Sequence, residues 1–138
     1  NSGNMNRQTF YYHFQDIYDV VKWIFREDFS SQLAFCEDET IEEWIDAAIE
    51  ILQENRAFYK RVLESVSREA VIQGMAPIIA AQIEQRLQVY ETDEFVKRFI
   101  IRSICHYILD VIENRDVIKR EKIITTVYGI KGLLINCQ

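Results

Sequence analysis

The stretch TDEFVKRFIIRSICHYILDVI, residues 92–112, decides the fold class. Phe95, Val96, Phe99, Ile100, Ile104, Tyr107, Ile108, Val111 and Ile112 recur three and four residues apart, the spacing of one face of an α-helix rather than the alternation of a strand. Thr92, followed by Asp93 and Glu94, marks the start, with acids at the positive end of the helix dipole. Ile101, Cys105 and Leu109 extend the apolar surface past that stripe, so this helix is predicted to bury more than one side.

Working outward, a final helix is predicted from about Asp116, in which Ile118, Ile123, Ile124, Val127, Ile130, Leu133, Leu134 and Ile135 cover more than one face, with Gly129 and Gly132 among them. These last two helices carry more apolar surface than the outside of a monomer needs. On the N-terminal side, Ser67 to Tyr90 repeats Val71, Met75, Ile78, Ile79, Ile83 and Leu87 at helical spacing, and Gly74 with Pro77 predicts a kink or a split there. Thr40 with Glu43 forms a capping box ahead of Ile41, Trp44, Ile45, Ala48 and Leu52, and Asn55 interrupts that pattern before Phe58, Tyr59, Val62, Leu63 and Val66 resume it. Arg26 to Glu39 reads as a loop, and Asp16 as the N-cap of a helix burying Ile17, Val20, Val21, Ile24 and Phe25. A short helix is predicted from Met5 to Phe14.

Composition points the same way. Four glycines and one proline in 138 residues leave too few turn residues for many short strands, and 49% hydrophobic content suffices for a core without disulfides. An all-α chain of six or seven helices is expected. Cys36, Cys105 and Cys137 lack the paired spacing of a zinc site or a disulfide framework, so reduced thiols in a cytoplasm are expected. No apolar run approaches the length of a membrane span, and Asn1 to Asn6 is no signal peptide.

The net charge of −6 argues against nucleic-acid binding over the whole surface. Between Glu27 and Glu54 the sequence holds ten acidic residues and neither Lys nor Arg, which confines any DNA contact to the N-terminal end. Enzyme chemistry has little to stand on. There is no phosphate-binding glycine loop, no GxSxG and no HExxH, and the two histidines offer little general-base capacity. Cys105 and His106 are chain neighbours that point apart on a helix, and His106 has only Asp110 at ligand spacing, so no catalytic residue, metal or cofactor is expected.

The remaining motif lies at the start. Asn6-Arg7-Gln8-Thr9-Phe10-Tyr11-Tyr12-His13-Phe14, running into Gln15-Asp16-Ile17-Tyr18-Asp19-Val20, resembles the third helix and linker of the TetR/AcrR family of transcriptional regulators. The chemistry agrees, because a helix laid in a DNA groove needs short polar groups near bases, hydroxyls or cations near phosphates, and apolar anchors behind. The resemblance implies that Asn6, Arg7, Gln8 and Thr9 lie near bases or phosphates, that Tyr11, Tyr12 and His13 contact the backbone, and that Phe10 and Phe14 are anchors. The other use of Tyr12 and His13 would be simple packing against the next helix. Where the family often places lysine after the His-Phe pair, this chain has Gln15 and Ile17, which should flatten the salt dependence of binding.

The family relation implies that residues 1–16 are what remains of a helix-turn-helix domain, that 17–138 form the helical regulatory and dimerisation domain, and that the last two helices build a dimeric four-helix bundle. Candidate interface residues are Phe99, Ile104, Ile108, Val127, Ile130 and Leu134; the same surface would also suit the centre of a monomeric bundle. In that family two further helices precede the reading helix, so the chain from Asn1 alone is not expected to bind operator DNA specifically. The expected function is a homodimeric, cytoplasmic bacterial regulator whose operator binding responds to an unidentified small-molecule or protein effector. The alternative is a dimeric sensor or adaptor that binds a protein partner without specific DNA binding. Trp44 to Tyr59 is similar to a subgroup containing activators of dihydroxyacetone-kinase operons, where the acidic Glu27 to Glu54 stretch would dock a partner. A small-molecule pocket would lie between the helices of residues 41–112, with Trp44, Tyr59, Met75, His106 and Tyr107 as candidate lining and the core as their other use.

Overall fold

The computed structural model describes residues 17–34, 36–89 and 91–136. They form six α-helices: α1 (Ile17–Phe25), α2 (Ile41–Glu54), α3 (Arg56–Ser65), α4 (Arg68–Leu87), α5 (Glu94–Ile112) and α6 (Arg120–Asn136). A π-helical turn, Arg26–Ser31, continues α1, and no strand occurs among the described residues. The all-α expectation holds. The expected N-cap Asp16 lies outside the described residues.

Local chemistry sets several boundaries as expected. The Thr40 hydroxyl accepts from the Glu43 amide at 3.1 Å while the Glu43 carboxylate accepts from the Thr40 amide at 2.9 Å, so two orphan donors are satisfied reciprocally. Asn55 both ends α2 and precedes α3, and its side-chain amide donates to the Ile51 carbonyl at 2.9 Å. Ser67 caps α4 by accepting from the Ala70 amide at 3.1 Å.

Other boundaries differ. The cap of α5 is Asp93, which accepts from the Phe95 and Val96 amides at 2.8 and 3.1 Å. Thr92 instead donates its hydroxyl to the Leu134 carbonyl of α6 at 3.2 Å. The last helix begins at Arg120 rather than near Asp116, because Asn114 takes a left-handed φ of 62° and Asp116 bonds the Val117 amide at 2.8 Å, committing that stretch to a connector. α4 passes through Gly74 and Pro77 as one continuous helix rather than as a split pair. The segment read as a loop from Arg26 begins with a π-helical turn, which turns both Asp28 and Phe29 inward.

α4 is the central element, packed on α1 and α5, while α6 lies on α2 and α5. Its buried residues, among them Val71, Ile72, Met75, Ile79, Ile83 and Leu87, surround most of the helix instead of forming one stripe. Each fully buried aliphatic side chain of this kind stabilises the fold by about 1.5–3 kcal/mol. The crossing of α4 with α1 needs Gly74: a Cβ there would stand 2.9 Å from Cγ1 of Val21, itself fully buried.

Candidate functional site

The expected DNA-reading residues Asn6, Arg7, Gln8, Thr9, Tyr11, Tyr12 and His13 all lie outside the described residues. The regulatory part is described, and its candidate pocket residues do not converge on one chamber. Met75 is wholly buried in the core. Tyr59 is buried too, in a three-ring cluster with Phe25 and Phe29 at centroid distances of 5.6 and 6.1 Å, and its hydroxyl donates to the Asp28 carboxylate. His106 faces solvent. The half-buried Tyr107 donates to the Val117 carbonyl at 2.7 Å, pinning the connector before α6, and burial pushes its phenol pKa upward.

Trp44 borders a recess of about 80 Å³ where the first turn of α2 meets the C-terminal end of α4. Arg86 forms the recess wall, with its side chain only 4% exposed. Its guanidinium pairs with the Glu39 carboxylate, donates to the Leu33 carbonyl and lies 5.7 Å from the centroid of the Trp44 ring. Gln82, one turn earlier on α4, accepts from the Trp44 indole N–H at 3.0 Å and donates to the same Leu33 carbonyl at 3.1 Å. Burial holds the Arg86 pKa below its ordinary value. A buried polar network of this kind fixes its members' positions because each lost bond would leave a desolvated group.

Gln82, Arg86 and Glu39 were not among the expected site residues. A signal existed: Gln82 and Arg86 stand at helical spacing within the apolar run Ile79, Ile83 and Leu87, where a polar side chain must find a buried partner.

Half of the acids in this stretch are engaged within the fold. Asp28 holds Tyr59, Glu39 holds Arg86 and Glu43 caps α2. Asp46 takes a two-point contact from Arg120 of α6 at 2.6 and 3.0 Å, and Glu42 accepts from the Tyr128 hydroxyl at 2.9 Å. The Arg120 bonds keep the Asp46 carboxyl pKa below the usual range, an exposed effect that salt would weaken. Glu27, Glu37, Asp38, Glu50 and Glu54 remain at the surface.

The expected interface residues divide. Phe99 is 66% exposed, Ile104, Ile108 and Ile130 are half-buried, and Val127 and Leu134 are buried within the subunit. Phe95, 71% exposed with its ring 6.2 Å from that of Phe99, joins Leu133 and Ile135 as further exposed apolar groups on α5 and α6.

No cluster of three or more metal-ligating side chains occurs among the described residues. Cys105 is buried and its thiol pKa is pushed up to about 12, chiefly by desolvation, whereas Cys36 is exposed. A maleimide pulse at pH 7.5 on native protein should therefore label Cys36 and spare Cys105 until denaturant is added, since only a thiolate reacts. Peptide mapping that found Cys105 labelled as fast as Cys36 would contradict the packing of α5.

No helix among the described residues is long and apolar enough to cross a membrane. Searches of curated proteins and of solved structures each returned no match. A family model described as the C-terminal region of transcriptional regulators, of TetR type, matches residues 39–130, which span all of α2 to α5, most of α6 and the recess lining except Glu37. The chain belongs to this family of TetR-type transcriptional regulator C-terminal regions.

Proposed function

We propose that this chain supplies the sensing and dimerising part of a TetR-type regulator, a homodimer whose operator binding is controlled by an effector held in the C-terminal domain. The family match over residues 39–130 carries the reading. The exposed Phe95 and Phe99, with Leu133 and Ile135, support a dimer built from α5 and α6, since two recognition helices must be held at fixed spacing to read a two-fold operator. Asn6, Arg7, Gln8 and Thr9 would face bases or phosphates, and Tyr11, Tyr12 and His13 the backbone. The likeness of Trp44 to Tyr59 to activators of dihydroxyacetone-kinase operons points to the subgroup. Its protein-docking feature has less support, because Asp28, Glu39, Glu42, Glu43 and Asp46 are engaged within the fold.

The test uses the chain together with whatever coding sequence precedes Asn1. Native mass at micromolar concentration should give a dimer, and a gel shift on the DNA flanking its own gene should give specific binding. Arg7→Ala should weaken that binding about tenfold or more, the scale of one lost charge-assisted base or phosphate contact. A dimer that binds no DNA sequence preferentially would favour the sensor or adaptor reading instead, and a monomer would remove both.

A further inference from the structure

We propose that the recess between α2 and α4 binds a small zwitterion of amino-acid type, whose carboxylate takes Arg86 and whose ammonium group takes Glu39 and Glu37. This inference rests on the regulator reading and names the effector class that the domain would sense.

Size and charge together select the ligand. The recess holds about 80 Å³, room for a few waters or for a molecule of glycine's size. Its walls carry both signs of charge. Arg86 supplies a buried guanidinium, and Thr40 and Ile41, at the start of α2, line the same cavity. Glu39, whose carboxylate pairs with Arg86, and Glu37 line it as well.

A simple anion entering this site would have to expel Glu39 from Arg86 and then sit against Glu37. A simple cation would strip Arg86 of its acid and leave a buried charge unbalanced, which is costly. A zwitterion placed between Arg86 and Glu39 avoids both penalties: carboxylate meets guanidinium, ammonium meets carboxylate, and no net charge is buried. The arrangement of the pair favours such insertion. The Arg86 side chain is 4% exposed and held by the Leu33 carbonyl and the Trp44 face, whereas Glu39 is 24% exposed and comes from the irregular segment before α2. The guanidinium is fixed, and the carboxylate belongs to the kind of segment that opens at least cost. Moving Glu39 would also pull on Thr40, the cap of α2, so occupancy has a direct route to a helix that contacts α6.

The Trp44 indole N–H, bonded to Gln82 at the recess wall, reports occupancy. Its NMR signal, assigned by comparison with Trp44→Phe, would be followed in the whole chain during titration with glycine, with acetate and with methylammonium, at constant ionic strength. Glycine should shift the signal saturably with a millimolar midpoint, and the other two should not saturate. Glu39→Gln, a change on a partly exposed side chain that leaves the core intact, should weaken glycine about tenfold, one charge-assisted contact, and allow acetate to saturate. Absence of saturation by glycine would overturn the proposal, as would acetate or methylammonium saturating as well as glycine in the unmodified chain, or Glu39→Gln leaving the glycine midpoint unchanged. The titration needs no DNA, so its failure leaves the operator and dimer results standing, and their failure leaves the titration standing.

Discussion

Tyr59→Ala is expected to destabilise the chain by about 3–5 kcal/mol, the range for truncating a large buried aromatic side chain. Against a total stability of about 5–15 kcal/mol for a domain, that change removes a large share of the margin. Tyr59 is 1% exposed and joins three parts of the fold: its ring stacks on Phe25 at the end of α1 and Phe29 in the π-helical turn, and its hydroxyl holds Asp28. Truncation opens a cavity that the neighbouring rings of Phe25 and Phe29 cannot fill without leaving their own packing. Tyr59→Phe separates the two contributions. It keeps the ring and removes only the donor to a carboxylate that is 3% exposed, so a loss of about 1–3 kcal/mol is expected. Urea melts of both variants measure the difference. A loss under about 1 kcal/mol for the alanine variant would mean that Tyr59 is not the buried link between α3 and the start of the domain.

What the residues disclosed by themselves was local. The capping box of Thr40 and Glu43 and the interruption at Asn55 depend on atoms within four positions, and both stand where the sequence puts them. The start of α5 lies one residue later than expected because Thr92 has a second use, a bond to Leu134 forty-two positions away. The acidic stretch before Glu54 misleads for the same reason. Charge alone suggests a solvated or docking face, whereas the partners Tyr59, Arg86, Arg120 and Tyr128 come from α3, α4 and α6. The recess was the least legible feature. It requires the carbonyl of Leu33, the loop acid Glu39, Trp44 on α2 and the pair Gln82 and Arg86 on α4 to meet, and no periodicity records that meeting. Periodicity does identify an apolar face, yet it does not say how much of that face the chain itself covers: Phe99 is left 66% exposed and Leu134 is wholly enclosed.

Phe99→Glu and Leu134→Ala are accordingly expected to fail in different ways. Leu134 is 0% exposed, enclosed within the subunit with Thr92 bonded to its carbonyl, so its truncation should lower stability by about 2–5 kcal/mol. Phe99 is 66% exposed beside Phe95, and a glutamate there costs the isolated subunit little, since surface changes usually stay within about 0.5 kcal/mol. In the proposed homodimer the same glutamate would enter the α5–α6 interface from both subunits, placing like charges in an apolar patch about a two-fold axis. Loss of a central aromatic anchor costs about 2 kcal/mol or more, roughly thirtyfold in the dimer dissociation constant, and the buried charges add to it. Sedimentation velocity over a concentration series, with a urea melt of each variant, separates the cases. Phe99→Glu should run as a folded monomer where the unmodified chain is dimeric. Leu134→Ala should lose stability first, and lose association only as far as mass action couples it to folding. A Phe99→Glu variant that remained dimeric would move the interface away from the exposed face of α5.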